Sequence, residues 1–217
     1  MTAECRGSAM VSKDEFHSYC QGKNIIVVGN GDTLLNEENG EFIDSHEIVL
    51  RMNKGYPREE FKKHVGSKTH IWSLSKGEQS FVNYWKYYTD IDYAINPWAH
   101  KTFRRINFLP TFNFPFTNFY EIYKIYHPEE ERDINTFVKD LFTNISIEDP
   151  LPSTGCLILN YFIGNVDFQS LTIIGFDFLR GGNFYEDGYK HLSIHDPQKE
   201  EEYLIALTSR KNNVVWK

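Results

Sequence analysis

The chain has 217 residues, with 23 Lys and Arg against 30 Asp and Glu, a net charge of -7 and a pI near 5.6. That balance argues against a nucleic-acid partner, which needs a basic face. The length suits one domain, residues 1–217, able to bury roughly 70% of its unfolded surface. No apolar run approaches the ~20 residues of a membrane span, so at most a peripheral membrane contact stays open. The first residues, MTAECRGSAMVSKDEF, lack the apolar core of a signal peptide, and the expected setting is cytoplasmic.

In chain order, residues 1–22 are polar and weakly patterned, a weakly ordered start leading into a short helix around Lys13 to Tyr19. Ile25-Ile26-Val27-Val28 follows, a β-branched run of the kind that forms a buried parallel strand. Gly29-Asn30-Gly31 supplies a tight turn, and Asp32 or Thr33 can cap a helix through Leu34 and Leu35. Strand, glycine turn and helix N-terminus together make an anion site, because unpaired N–H groups point outward there. A second strand, Glu47 to Arg51, leads to Asn53, so Asn30 and Asn53 are expected at one carboxyl edge, where open α/β sheets bind ligands. A third strand is expected to end near Ile71-Trp72, a helix to run from Gly77 to Asp90, and a strand to cover Asp92 to Ile95. Phe103 to Tyr126 is crowded with Phe and Tyr, which suits either core packing or a sugar-stacking platform; packing is the favoured reading. His100, Lys101, Arg104 and Arg105 form the one basic cluster, read as a solvated face. Glu129 to Asp140 opens a charged helix.

Pro152-Ser153-Thr154-Gly155 then starts an apolar helix, with Ser153 or Thr154 as cap and Gly155 admitting a ligand close to the backbone. Cys5, Cys20 and Cys156 are odd in number and lack metal-type spacing; Cys156, within the apolar run, reads as a buried free thiol. Ser170 to Phe178 is a buried strand broken by Gly175, followed by a polar loop carrying Tyr185, Tyr189, His191 and His195. Asp196-Pro197 is a strong helix start, and Asn213 to Trp216 closes the chain as a strand.

Several of these stretches resemble the motifs of the sialyltransferase family. Gly29-Asn30-Gly31 with Ile43 to Asn53, and Val65 to Thr69, are similar to the large sialylmotif of the eukaryotic enzymes and the stretch after it. Pro152 to Gly155 through Ile174-Gly175-Phe176 resembles the small motif, Asn183-Phe184-Tyr185-Glu186 the third, and His195 with Glu200 the very small one. The compact bacterial enzymes share the Gly-Asn-Gly turn and a histidine pair like His191 and His195. The family's inter-motif disulfide has no counterpart here, since Asn24-Ile25 and Asn165-Val166-Asp167 stand at those places, and the usual His of the third motif is Asn183.

The resemblance implies a single Rossmann-like, doubly wound, mainly parallel sheet, a GT-A-like variant, with a mobile lid from about Arg180 to His195. It implies inverting transfer of sialic acid from its CMP derivative to a glycan hydroxyl, with no metal and no other cofactor. Such a donor leaves as one phosphate monoester, so phosphate stabilisation plus one base meets the chemical need. His195 is the expected base, because the helix N-terminus beside it disfavours the imidazolium. Tyr185 and His191 are the expected phosphate partners; their four-residue spacing leaves the roles of His191 and His195 exchangeable. Gly29, Asn30, Gly31, Asn53, Ser153, Thr154, Gly155, Gly175, Asp177 and Glu200 complete the expected donor site, with Glu200 orienting the loop or reaching a ligand hydroxyl.

Other readings compete. A shorter relative such as Kdo is an alternative donor, and a non-catalytic sugar-nucleotide module would keep the turn without needing His195. A dinucleotide-binding oxidoreductase would need the third glycine of G-x-G-x-x-G, which Gly29 to Leu34 lacks. A metal-dependent glycosyltransferase would rest on Asp90-Ile91-Asp92, placed at a strand start rather than a strand end.

Overall fold

The computed structural model describes residues 10–73, 91–97, 111–129, 131, 133, 151–185 and 195–217. Its strands are β1 (Asn24–Val28), β2 (Ile48–Met52), β3 (Ile71–Ser73), β4 (Tyr93–Asn96), β5 (Thr111–Asn113), β6 (Ser170–Ile174) and β7 (Val214–Trp216). They form one sheet in the order β5-β4-β3-β2-β1-β6-β7, and every neighbouring pair is parallel. The described helices are α1 (Lys13–Cys20), α2 (Gly40–Asp44), α3 (Lys62–Val65), α4 (Phe116–Tyr126), α5 (Thr154–Asn165) and α6 (Pro197–Thr208).

Side-chain alternation along the strands decides which helices go where. Ile25 and Val27 of β1, Ile48 and Leu50 of β2, and Leu171 and Ile173 of β6 point into a large core shared with α1, α4, α5 and α6. Ile26, Val28, Val49 and Ile174 point the other way, onto Leu34, Ile43, Val65 and Phe184. Both faces are therefore covered, which is why these strands are continuously apolar rather than alternating. The sheet is doubly wound, as expected, and parallel throughout its described strands.

Helix α1 belongs to the larger core: Phe16 and Cys20 are fully buried, and Ser12 caps the helix by accepting from Glu15 N at 3.1 Å. The short helix expected around Lys13 to Tyr19 is thus present as Lys13–Cys20 and packed into the core, within the segment 1–22 expected to be weakly ordered. Residues 1–9, the expected helix at 77–90, the basic cluster at 100–105 and most of 129–140 lie outside the described residues. Of the aromatic stretch, Phe112, Phe114, Tyr123 and Tyr126 are buried, with Phe114 stacked on Tyr161 at 4.0 Å, so packing claims them. Cys20 and Cys156 are buried free thiols.

The turn after β1 departs from expectation. Asp32–Asn36 is one short 3-10 stretch with no side-chain cap, not a helix with an open N-terminus. Asp32 instead clasps the chain beyond β6: its carboxylate accepts from Gly182 N at 3.0 Å, and its own N–H donates to Gly182 O at 3.1 Å.

Candidate functional site

Because every described strand points the same way, their carboxyl ends share one edge. The strand order reverses between β1 and β6, the position at which open α/β sheets hold ligands. Helices α5 and α6 return to the amino ends of β6 and β7, so their N-termini also lie at this edge. Asn30, Asn53, Gly175, the Ser153-Thr154 helix start and His195 are thus brought together.

At the reversal the backbones press close. Gly29 N–H donates to Ile174 O at 2.7 Å and Gly31 N–H to Gly175 O at 2.9 Å. A Cβ on Gly29 would fall 2.1 Å from Gly175 O, and Gly175 itself has a φ of +72°. The glycines of this pair serve backbone contact and need no ligand to explain them. Gly31 then bridges to Asn183, and Phe184 N–H donates to Asn30 O at 3.0 Å. Residues 180–185 of the expected lid are thereby fastened over the β1 turn; residues 186–194, with Glu186 and His191, lie outside the described residues.

Asn30 is the polar centre of the turn. Its Nδ2 donates to Met52 O at 3.4 Å and to the Tyr185 hydroxyl at 3.5 Å, while its buried Oδ1 has no hydrogen-bond partner among the described residues. A buried amide oxygen left unpartnered is uncommon and suits a ligand donor. Gly55 makes room for it: a Cβ there would lie 2.2 Å from Asn30 Oδ1. Asn53 adopts a left-handed φ of 53°, which asparagine tolerates, and its carbonyl accepts from Trp72 Nε1 at 2.9 Å.

Two expected ligand contacts are occupied internally. Asp177 accepts from Leu179 N at 3.0 Å and Gly181 N at 2.9 Å, bracing a loop in which Phe178 and Leu179 have positive φ. Its half-buried carboxylate clamps that loop, with one N–H on each oxygen. Gly155 gives room to protein, not ligand, since a Cβ would meet Phe176 Cε1 at 2.6 Å.

The small-motif helix and the last helix meet through Glu200. Ser153 caps α5 by accepting from Cys156 N at 3.2 Å, while its N–H donates to Glu200 Oε1 at 2.5 Å. Ser153 is therefore engaged within the protein. Glu200 is only 3% exposed, and the contact it makes is to the backbone of the helix start. Burial pushes its pKa up to about 7, against the opposing hydrogen bond from Ser153 N–H. Thr154 and Gly155 head the helix, and first-turn amides have no intrahelical carbonyl to meet.

His195 stands just before α6, whose N-cap is Asp196 with Pro197 in the first turn. Its Nδ1 lies 2.7 Å from Leu151 O. A carbonyl only accepts, so Nδ1 carries the proton and the lone pair of the neutral ring is on Nε2. Leu151 and Gly55 are the site residues that sequence reasoning missed. A backbone carbonyl leaves no signature in sequence, whereas the Asn53-Lys54-Gly55 turn was a visible hint for Gly55.

The metal reading fares differently. Asp92 lies at the amino end of β4, opposite the site edge, and accepts from the Tyr19 hydroxyl at 2.5 Å. Among the described residues no cluster of three His, Cys, Asp or Glu side chains is placed to hold a metal ion.

The fold is that of a Rossmann-like α/β protein, with its ligand crevice expected at the strand ends. The chain belongs to glycosyltransferase family 29, the sialyltransferase family, whose profile matches residues 13–211. The crystal structure of a mammalian sialyltransferase superposes with a TM-score of 0.52 at 19% identity, covering 90% of this chain and 69% of that one. CstII, a sialyltransferase from Campylobacter jejuni solved with the substrate analogue cytidine 5′-monophosphate, gives 0.50 at 16% identity, covering 90% and 80%. At such identities these structures show a shared fold. Among curated proteins, a β-1,6-galactosyltransferase of Arabidopsis thaliana is 58% identical over 57 residues, 26% of this chain and 12% of that protein. A human CMP-N-acetylneuraminate-β-1,4-galactoside α-2,3-sialyltransferase is 47% identical over 47 residues, 22% of this chain and 12% of that protein. The matched segments thus span about an eighth of those relatives' length.

Proposed function

We propose that this protein transfers sialic acid from CMP-sialic acid to a glycan hydroxyl, with inversion and without a metal ion. The observation that carries the reading is His195, held by Leu151 O with its lone pair on Nε2, at the ligand edge of a family 29 fold. The acceptor oxygen attacks the anomeric carbon as its proton passes to Nε2. The bond to the CMP phosphate breaks, and negative charge gathers on the departing phosphate oxygen. First-turn amides of α5 and the Tyr185 hydroxyl are the groups we assign to that charge. Asn30 Oδ1, buried and unpartnered, accepts a hydrogen bond from the donor.

A second reading has its own observation. The segment most like the plant enzyme is 58% identical to a protein named for galactose transfer, so a UDP-galactose donor is the rival to separate. Turnover with CMP-sialic acid, CMP-Kdo and UDP-galactose, each with and without EDTA, tests both. The proposal expects transfer from CMP-sialic acid undiminished by EDTA. Transfer from UDP-galactose alone, or loss of turnover in EDTA, would overturn it.

A further inference from the structure

Glu200 poses a physical puzzle. A carboxyl 3% exposed is costly to ionise in place, and the one backbone N–H it receives, from Ser153, is modest repayment. Stability alone would be served as well by an apolar side chain of the same length. What the carboxyl does hold is the segment on which His195 depends.

Residues Leu151-Pro152-Ser153 are gripped at both ends by the stretch His195 to Glu200. His195 Nδ1 donates to Leu151 O at 2.7 Å, and Ser153 N donates to Glu200 Oε1 at 2.5 Å. Pro152, between them, is buried and fixes its own φ, so a shift at Ser153 passes to the Leu151 carbonyl. The grip is closed behind Glu200. Its neighbour Lys199 donates from Nζ to Tyr126 O at 2.7 Å, the Tyr126 hydroxyl meets Cys156 Sγ at 3.6 Å, and Cys156 N returns to Ser153 Oγ at 3.2 Å.

We infer that Glu200 is a positioning residue, holding the 151–153 segment so that the Leu151 carbonyl keeps His195 in its Nδ1-protonated form with Nε2 able to take a proton. This rests on the base role given to His195. Glu200 touches neither donor nor acceptor; it acts through backbone.

Glu200→Met and Glu200→Gln separate this from a structural role. Methionine fills the same volume without an acceptor, and replacing a buried ionisable group in this way often leaves stability unchanged or raised. Glutamine keeps an oxygen for Ser153 N–H. Two readouts are taken: turnover, and the ring-nitrogen shifts of ¹⁵N-labelled His195, assigned by comparison with a His195→Gln sample. For Glu200→Met we expect turnover to fall by about 10- to 100-fold, part of the roughly 10²- to 10⁴-fold that a general base supplies, with His195 shifting toward a mixture of tautomers. Glu200→Gln should retain the tautomer and most of the turnover. A folded Glu200→Met protein with wild-type tautomer and turnover would overturn the inference. If that variant does not fold, Glu200→Gln decides: a retained tautomer supports the inference and a lost one overturns it. The tautomer is read without turnover, so failure here is distinguishable from failure of the proposed reaction.

Discussion

Three buried or half-buried groups give the protein a pH dependence that can be worked out residue by residue. The His70 pKa is lowered, chiefly by burial, and its Nδ1 accepts from Val49 N at 2.9 Å, so protonating it breaks a contact. Burial opposes ionisation of Asp44, but hydrogen bonds from Lys68 N and from the N–H and hydroxyl of Ser67 outweigh it and hold the pKa below its usual value. Both groups bind protons less readily folded than unfolded, so both lose their stabilisation as pH falls. Glu200 has the opposite sign. Its folded pKa of about 7 stands above the ordinary 4.5, so the folded chain holds the extra proton and stability is lost as pH rises through that window. Asp196, Tyr126 and Cys156 are the titratable groups that bear on it. In chemical denaturation between pH 4.5 and 7, wild type should lose stability relative to Glu200→Gln as pH rises, the His70 and Asp44 contributions being common to both; parallel curves would contradict this assignment. Asp44→Ala, which removes a charged acceptor shared by several donors, should cost about 1 to 3 kcal/mol in the same measurement.

At the scale of elements, the packing of two turns at the strand reversal is the most demanding feature. Gly29→Ala places a methyl 2.1 Å from the Gly175 carbonyl, backbone against backbone, where no side chain can yield. Forcing β1 and β6 apart should cost about 1 to 3 kcal/mol or more and weaken ligand binding with it, measured as a fall in both melting temperature and CMP affinity. A Gly29→Ala protein of wild-type stability would contradict the packing. Much at this scale was legible in sequence. The β-branched runs at Ile25 to Val28 and Ser170 to Ile174 announced strands, and Asp196-Pro197 announced α6, because these signals are local and strong. The roles of Gly155 and Asp177 were not. Both looked like ligand groups by position, but one is claimed by Phe176 and the other by its own loop, contacts set by tertiary placement. The short turn after β1 misled for a related reason: Asp32 has cap chemistry but spends it on Gly182, 150 residues away.

For the whole molecule, fold and family were readable from the joint order of motifs, whereas the surroundings of His195 needed three dimensions. That His195 faces the Leu151 carbonyl, 44 residues away, could not be seen along the chain. The absent inter-motif disulfide also finds its replacement only in space: Gly22 N–H donates to Asp167 O at 3.0 Å, and Gln169 N–H to Lys23 O at 3.0 Å, joining the same two segments. Since the described cysteines are buried free thiols, reductant should leave melting temperature and turnover unchanged. A marked loss in reductant would reveal a disulfide that this account lacks. CMP, binding the native state, should raise stability by about 2.7 kcal/mol at a hundredfold excess over Kd. A thermal shift with UDP and none with CMP would contradict the donor.

The most direct test of the central claim is the pH dependence of turnover in His195→Ala, measured beside its CMP affinity. The account predicts a fall of about 10²- to 10⁴-fold in turnover, loss of the acidic limb of the pH profile, and CMP affinity nearly unchanged. Near wild-type turnover with an unaltered profile would remove His195 as the base.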